Sequence, residues 1–261
     1  VYGYELDGFY TTDDFSWDGS KWILNENLTD PTELIKYNNF GPGSLKLKAD
    51  EDGKFTKKRL GNTVPTVTGG FGINMRYKNF DLSAFFNYSL GNKIVNATKL
   101  GSSYYNDTKK GWNLNDNFTL AKRYSWIDPS TGENMLKSSY IKSNGLDYTI
   151  NRLNEINAGA SMYNPGSITE MPLLDWAVED GSFLRVNNIS IGYTLPKVFV
   201  NKMFMQNVRI YVTGYNLYCF TKYSGADPEV DTRRSTPMTP GVDYSAYPKS
   251  RSFVGGINVT F

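Results

Sequence analysis

The sequence has no histidine and a single cysteine, Cys219. It also has no run approaching the ~20 apolar residues that a membrane-spanning helix needs. The missing histidine excludes a Ser-His-Asp or Cys-His nucleophile system and any His-ligated zinc or haem site. The lone cysteine excludes an internal disulfide and a thiolate metal cluster. An excess of one charge is missing too: 28 Lys+Arg stand against 26 Asp+Glu, a formal net charge of +2. That balance does not suit a binder whose affinity rests on neutralising phosphates, so no nucleic-acid partner is expected. The lack of long apolar runs leaves one membrane architecture open. The strands of a membrane β-barrel alternate, and their hydropathy averages out as polar.

What is present points to strands. The 261 residues suffice for one large domain or two small ones. Hydrophobic residues are 39%, low for a packed soluble domain, while aromatics reach 15%, with 19 Tyr and 15 Phe beside 24 Gly. This is the composition of short strands and polar loops, not of helix bundles. The chain opens at Val1 without a start methionine or a signal peptide. It therefore reads as a mature segment or a piece of something longer.

Period-2 alternation marks the strands. In Phe80–Ser89, Phe80, Leu82, Ala84, Phe86 and Tyr88 share one face; Asp81, Ser83, Asn87 and Ser89 share the other, with Phe85 the apolar intruder. Just before it, Phe71, Ile73, Met75 and Tyr77 alternate with Gly72, Asn74, Arg76 and Lys78. The two runs meet at Asn79, which predicts a hairpin with a very tight turn. Ile189, Ile191, Tyr193 and Leu195 alternate with polar residues until Pro196 stops the run. Val208, Ile210, Val212 and Gly214 form a fourth run, and Phe253, Gly255, Ile257, Val259 and Phe261 a fifth.

None of these apolar faces carries a charge, whereas the opposite faces carry Arg76, Lys78, Asp81 and Arg209. A soluble sandwich also keeps charge off its core face. A lipid-facing surface adds aromatics near the strand ends, which Phe71, Tyr77, Phe80, Tyr88, Phe253 and Phe261 supply. Arg or Lys at mid-bilayer costs roughly 2–4 kcal/mol, so Ile191→Arg and Phe86→Arg should be poorly tolerated. Arg185 shares the parity of Ile189 and is placed at or above the interface.

Loop lengths give a second signal. Bacterial outer-membrane barrels have short periplasmic turns and long outer loops. Walking back from Phe261, the connections run long (about 222–250), shorter (196–207), very long (90–181) and minimal (around Asn79). That alternation has no reason to appear in a soluble domain. Five strands cannot close a membrane barrel, which takes roughly eight at the least. Open edges in lipid leave amides without partners. The chain is therefore expected to be part of a larger spanning unit.

The residues resemble a known family. Asp180-Gly-Ser-Phe-Leu-Arg-Val-Asn-Asn-Ile-Ser-Ile-Gly-Tyr-Thr-Leu-Pro196 is similar to the near-terminal signature of SusC/RagA-like TonB-dependent outer-membrane transporters. So are Val208-Arg-Ile-Tyr-Val-Thr-Gly-Tyr-Asn-Leu217, Thr221-Lys-Tyr-Ser-Gly-Ala-Asp-Pro-Glu229 and the ending Pro248 to Phe261. Gly61-Asn62, Pro65 and Gly69 through Ser83 resemble the preceding family hairpin, and Tyr4 to Tyr10 matches an upstream segment more weakly. The resemblance spans about two-thirds of the chain and is absent from Asn96 to Glu179. It implies an all-β antiparallel transmembrane β-barrel, of which this chain supplies only the C-terminal strands, with long extracellular loops. The family's barrels have about 22 strands around an N-terminal plug. They pair with a SusD/RagB-like surface lipoprotein and import glycans or oligopeptides under the drive of the TonB complex. The implied partners are the N-terminal part of the same barrel (plug and remaining strands), the lipoprotein, the TonB complex through that absent part, and outer-membrane lipids. The implied location is the outer membrane, crossed several times, with loops facing outside.

Within that picture residues 1–68 are expected to be an extracellular loop region leading into the barrel, and 69–261 the final strands with a long outer loop at about 90–181. Phe261 resembles the terminal aromatic that barrel-assembly machinery recognises, and deleting it should impair insertion far more than solubility. Arg76, Asp81, Asn87, Asn188 and Arg209 are expected to line the lumen. Family members often carry a calcium-loop-like segment before the hairpin. Here Lys48-Ala-Asp-Glu-Asp-Gly53 puts Lys48 and Arg59 where carboxylates are needed, so it reads as a solvated acidic turn and no metal is expected.

The loop aromatics Tyr104, Tyr105, Trp112, Trp126 and Tyr140 read first as packing their loop onto itself or its neighbours, and second as ligand or partner contacts. Lys109-Lys110 and Arg233-Arg234 read as solvated basics, and the Asn96-Ala-Thr98 sequon carries no weight in an Asn-rich chain. Cys219 reads as a shielded free thiol. Asp13/Asp14 and Asp227/Glu229 lack evidence of the facing geometry a glycosidase pair needs, and Asp227-Pro-Glu229 reads as structural. No enzyme activity and no cofactor are expected. The alternative function is a soluble all-β carbohydrate-binding or adhesin module.

Overall fold

The computed structural model describes residues 1–105, 113–229 and 240–261. Lys109, Lys110, Trp112, Arg233 and Arg234 lie outside the described residues. The chain divides into two compact units. One is built from Val1–Leu60 and Ala97–Val178, the other from Gly61–Asn96 and Glu179–Phe261. The described residues are mostly β, and no helix among them is long and apolar enough to cross a membrane.

The unit of 61–96 and 179–261 is dominated by a five-stranded antiparallel sheet. Its strands are Val67–Tyr77, Phe80–Leu90, Phe183–Thr194, Asn207–Thr221 and Ser252–Thr260, and they lie side by side in sequence order. They are called the first to fifth strands below. The alternating runs predicted all five, and the hairpin turn falls at Lys78-Asn79, between the paired Tyr77 and Phe80. So tight a turn needs a left-handed residue, and Lys78 takes it at φ 53°.

The register also fixes the ends. Tyr77 pairs with Phe80, Phe80 with Tyr193, and Asn207 with Thr260. The Lys78-Asn79 turn, the 195–206 connection and the C-terminus therefore share one end of the sheet. The connections 91–182 and 222–251 leave from the other. The sheet does not close on itself: among the described residues the first and fifth strands are its edges.

One expectation is corrected here. Arg185 does not share a face with Ile189. The registers on both sides of the third strand pass over Asn187, so Val186 pairs with Phe86 and Tyr218 while Asn188 pairs with Phe85 and Tyr215. This bulge inserts one residue and reverses the parity beyond it. Arg185 is thereby paired with Asn87 and Cys219 on the polar face, and is buried. Strict alternation counted through Asn187 put the guanidinium on the apolar side, at or above the interface.

The other unit is small-element structure around two aromatic-rich cores. Short antiparallel pairs join Leu6–Phe9 to Leu45–Leu47 and Phe15–Trp17 to Trp22–Leu24. Two helices, Ser138–Asn144 and Leu146–Ile156, meet at Gly145, whose φ of 89° lets the chain turn between them. Leu146, Ile150 and Leu153 recur at helical spacing and pack the second helix into the first core. That core joins Tyr10, Phe15 and Trp22 to Tyr124, Trp126, Met135, Tyr140 and Leu153. The second joins Ile35, Leu45 and Leu47 to Phe118, Tyr163, Ile168 and Leu174. Each core draws on both chain segments of the unit.

Candidate functional site

The sheet's two faces are the feature that carries chemistry. Cross-strand partners share a face, so the register can be read as rows. Tyr77, Phe80, Tyr193, Ile210 and Ile257 form the row nearest the tight turn. Next come Met75, Leu82, Ile191, Val212 and Gly255, then Ile73, Ala84, Ile189, Gly214 and Phe253. Past the bulge follow Phe71, Phe86, Val186 and Tyr218, then Gly69, Tyr88, Leu184 and Phe220. No row contains a charge. The middle is largely aliphatic or small, and the rows on both sides are aromatic-rich.

This face is open. Met75 is 57% exposed, Ile191 54%, Val212 55% and Ile257 64%. Among the described residues no second sheet covers it. The dimensions suit a bilayer. An 11-residue strand such as the first or second rises about 3.4 Å per residue, or roughly 37 Å in all; tilted by ~45° it spans about 26 Å, close to the ~25 Å apolar band of an outer-membrane barrel.

The opposite face is polar. The predicted lumen residues Arg76, Asp81, Asn87, Asn188 and Arg209 all lie on it: Arg76 pairs with Asp81, Asn87 with Arg185, Asn188 with Tyr215 and Arg209 with Asn258. Arg209 reaches across the third strand to Asp81, its Nε donating to Oδ1 at 2.9 Å and its Nη2 to Oδ2. The path runs over Gly192, where a Cβ would sit 2.4 Å from Nη2. Glycine there clears the way for a planar, bidentate pair. In the same manner Gly256 leaves room for the ring of Tyr211, over which the Arg209 guanidinium lies at 5.1 Å. Beyond them the Thr213 hydroxyl donates to Ser190 Oγ at 2.8 Å.

At the end of the long connections, buried charge holds the strands. Arg185 Nη2 donates to Asp227 Oδ1 at 2.5 Å, with both side chains 5% exposed, and Glu229 stands 3.2 Å from Arg185 Nε. Asp227 also accepts the backbone N–H of Glu229 at 2.9 Å, and Lys249 bonds Glu229. The Asp-Pro-Glu segment therefore closes a loop onto the third strand, and its carboxylates face a guanidinium rather than each other. Tyr223 donates to Asp243 at 2.6 Å, and burial raises its hydroxyl pKa well above the usual value.

Other predicted residues fall as follows. Phe261 follows the fifth strand and is exposed. Cys219 is a free, half-buried thiol. Asp50 accepts the backbone N–H groups of Asp52 and Lys54, which hold its pKa below the usual carboxylate range, as in an ordinary acidic turn. Trp126 and Tyr140 are buried in the first core, and Tyr104 packs on the second. Tyr105 is exposed and lines a cavity of about 190 Å³ together with Arg123, Asn38, Asn39 and Asn134. Sequence reasoning missed that cavity. Its residues come from distant segments and carry no local motif.

A buried network also went unseen. Asp128 accepts from Tyr140 at 2.6 Å and from Arg152 at 3.3 Å. The Tyr140 hydroxyl, helped by the Ser130 N–H and Arg152, holds the Asp128 carboxyl down at about 2, while burial and Asp128 push Tyr140 up to about 12.

No family model matches the chain. It is 31% identical, over its whole length, to 22% of the TonB-dependent receptor P3 of Formosa agariphila. It is also 31% identical, over 33% of its length, to 8% of the TonB-dependent receptor SusC of Bacteroides thetaiotaomicron. The structure of the RagAB peptide importer in its closed-closed state matches all of this chain and 23% of that one, with a TM-score of 0.55 and 20% identity. The chain thus spans about a fifth to a quarter of the length of curated relatives that it matches over its whole length.

Proposed function

Since this chain belongs to the SusC/RagA-like TonB-dependent receptors, we propose that it forms a five-strand sector of the barrel wall in an outer-membrane importer of oligomeric nutrients. The open apolar face meets lipid hydrocarbon. The polar face, with Asp81 and Arg209, looks into the lumen. The two sheet edges are completed by the rest of the barrel, because unpaired strand amides have no partner in lipid. The connections 91–182 and 222–251 face the cell exterior. There the importer works with a SusD/RagB-like lipoprotein, and the TonB complex drives uptake through the plug. The chain is scaffold and loop, with no catalytic step of its own. Phe261 serves barrel assembly.

The observation that carries this reading is the uncharged, aromatic-bordered face left open across all five strands. A water-soluble binding module would leave the same residues against water, which strongly opposes it. The test is fractionation of the full-length receptor carrying Ile191→Arg or, as a control on the polar face, Ser190→Arg. Ile191→Arg should empty the outer-membrane fraction while Ser190→Arg leaves it filled. Recovery of residues 1–261 alone as a monodisperse, folded monomer in detergent-free buffer would overturn the proposal.

A further inference from the structure

The cavity in the unit of 1–60 and 97–178 has an unusual balance of groups. Asn38, Asn39, Asn134 and Arg123 line it, and among the described residues no carboxylate does. Arg123 is half-buried, and its guanidinium has no hydrogen bond or ion pair among the described residues. Tyr124 is 4% exposed, and its hydroxyl is buried without a hydrogen-bond partner among the described residues. The ring of Tyr105 stands 48% exposed at the same cavity.

A partly desolvated guanidinium without a counter-ion is costly, and the cost is offset when an anion arrives. Its planar fork matches the two oxygens of a carboxylate or sulfate better than a single hydroxyl. Amide side chains both donate and accept, which suits the vicinal hydroxyls of a sugar. The exposed tyrosine ring offers a flat apolar surface. A cavity of about 190 Å³ is compact and has room for a single ring. An extended peptide adds to a strand edge or fills a long groove instead.

We propose that this cavity binds one acid-bearing ring of an anionic saccharide, with Arg123 on the carboxylate or sulfate, the asparagines on ring hydroxyls and Tyr105 against the ring face. The inference rests on the importer reading only for what happens to the saccharide afterwards. Binding itself is measured without transport.

The experiment uses the full-length receptor in detergent on an array of oligogalacturonates and sulfated oligogalactans, each beside its carboxyl-reduced or desulfated counterpart, with the peptide Ala-Asp-Ala as competitor. The two acidic series separate a uronate from a sulfate ester. Wild type should retain at least one acidic series over its neutral counterpart. Arg123→Gln should lower that retention tenfold or more, and Arg123→Lys should fall between. Unchanged tryptophan fluorescence melting shows that the variants remain folded. Equal retention of acidic and neutral partners, no retention, or Arg123-dependent binding of Ala-Asp-Ala in preference to saccharide overturns the proposal. A receptor that sits in the outer membrane but ignores acidic glycans sinks the cavity alone. One that binds them but fractionates as soluble protein sinks the importer reading alone.

Discussion

In the unit of 1–60 and 97–178, Tyr10, Tyr140 and Tyr163 are 1%, 3% and 0% exposed; in the sheet of the other unit, Tyr77, Phe80 and Phe253 are 71%, 55% and 71% exposed. Both units are rich in aromatics, and they place them oppositely. The first packs its aromatics inward and gives several of their polar tips a partner, as when Trp126 donates to the Pro42 carbonyl at 2.7 Å and Tyr163 to the Ser103 carbonyl at 3.2 Å. The sheet leaves its hydrocarbon bare instead and keeps charge to its polar side, where Arg185 is buried against Asp227 of the following connection. The difference teaches that composition names the residues but not the solvent. The solvent is read from which side chains the register groups together.

The comparison breaks hardest at the buried ion pair. Asp227→Ala leaves the buried Arg185 with only the more exposed Glu229, 3.2 Å from its Nε, and should cost about 3 kcal/mol of stability, the low end for a broken buried pair, read as a lower unfolding midpoint in detergent. Replacing both partners, Arg185→Met with Asp227→Leu, should restore much of the loss. If the single variant is silent, charge does not hold the strand ends.

Next comes a reciprocal pair. Leu153→Ala opens a hole in the aromatic core, where Leu153 is fully buried, and should cost about 2–5 kcal/mol within that unit while the receptor still reaches the membrane. Ile191→Arg should cost roughly 2–4 kcal/mol and abolish membrane recovery while leaving that core's fluorescence intact if the chain is made. Were both variants to impair membrane recovery equally, the two units would not differ in solvent as described. A smaller effect is expected on the polar face. Gly192→Ala displaces the guanidinium of Arg209 from Asp81, a pair that is part-exposed, and should cost only about 1 kcal/mol.

Much of the sheet was legible because both its signals are local. Alternation from Phe71 to Tyr88 gave two strands and their turn, and the ordering of connection lengths gave the two ends. The reading failed at Asn187, since a bulge shifts parity without changing residue type. The register on either side, not the alternation, shows that Arg185 is turned to the polar face. The other unit was far less legible. Leu146, Ile150 and Leu153 did carry a helical period, but the joining of Tyr10 and Trp22 to Tyr140 and Leu153 is a contact between segments more than a hundred residues apart, which no window detects. Arg123 and the asparagines were invisible for the same reason.

The mildest test concerns acid. Asp128 has its folded pKa depressed to about 2, below the ordinary value of 3.8, by the Tyr140 hydroxyl, the Ser130 N–H and Arg152. A depressed carboxylate contributes stability that is fully present above its unfolded pKa and is lost as pH falls through its folded one. The unit of 1–60 and 97–178 should therefore weaken between about pH 4 and pH 2, read as a falling midpoint of its tryptophan fluorescence transition. Asp128→Asn should be less stable at neutral pH but lose that segment of the pH dependence, and Tyr140→Phe should flatten it in part by removing the strongest contact. The sheet offers a contrast within the same molecule. Its apolar face contains no titratable carboxylate, so membrane retention should hold steady over the same interval. A loss of membrane retention that tracks the Asp128 titration would mean the two units share one cooperative transition, and the separation of their solvents would have to be given up.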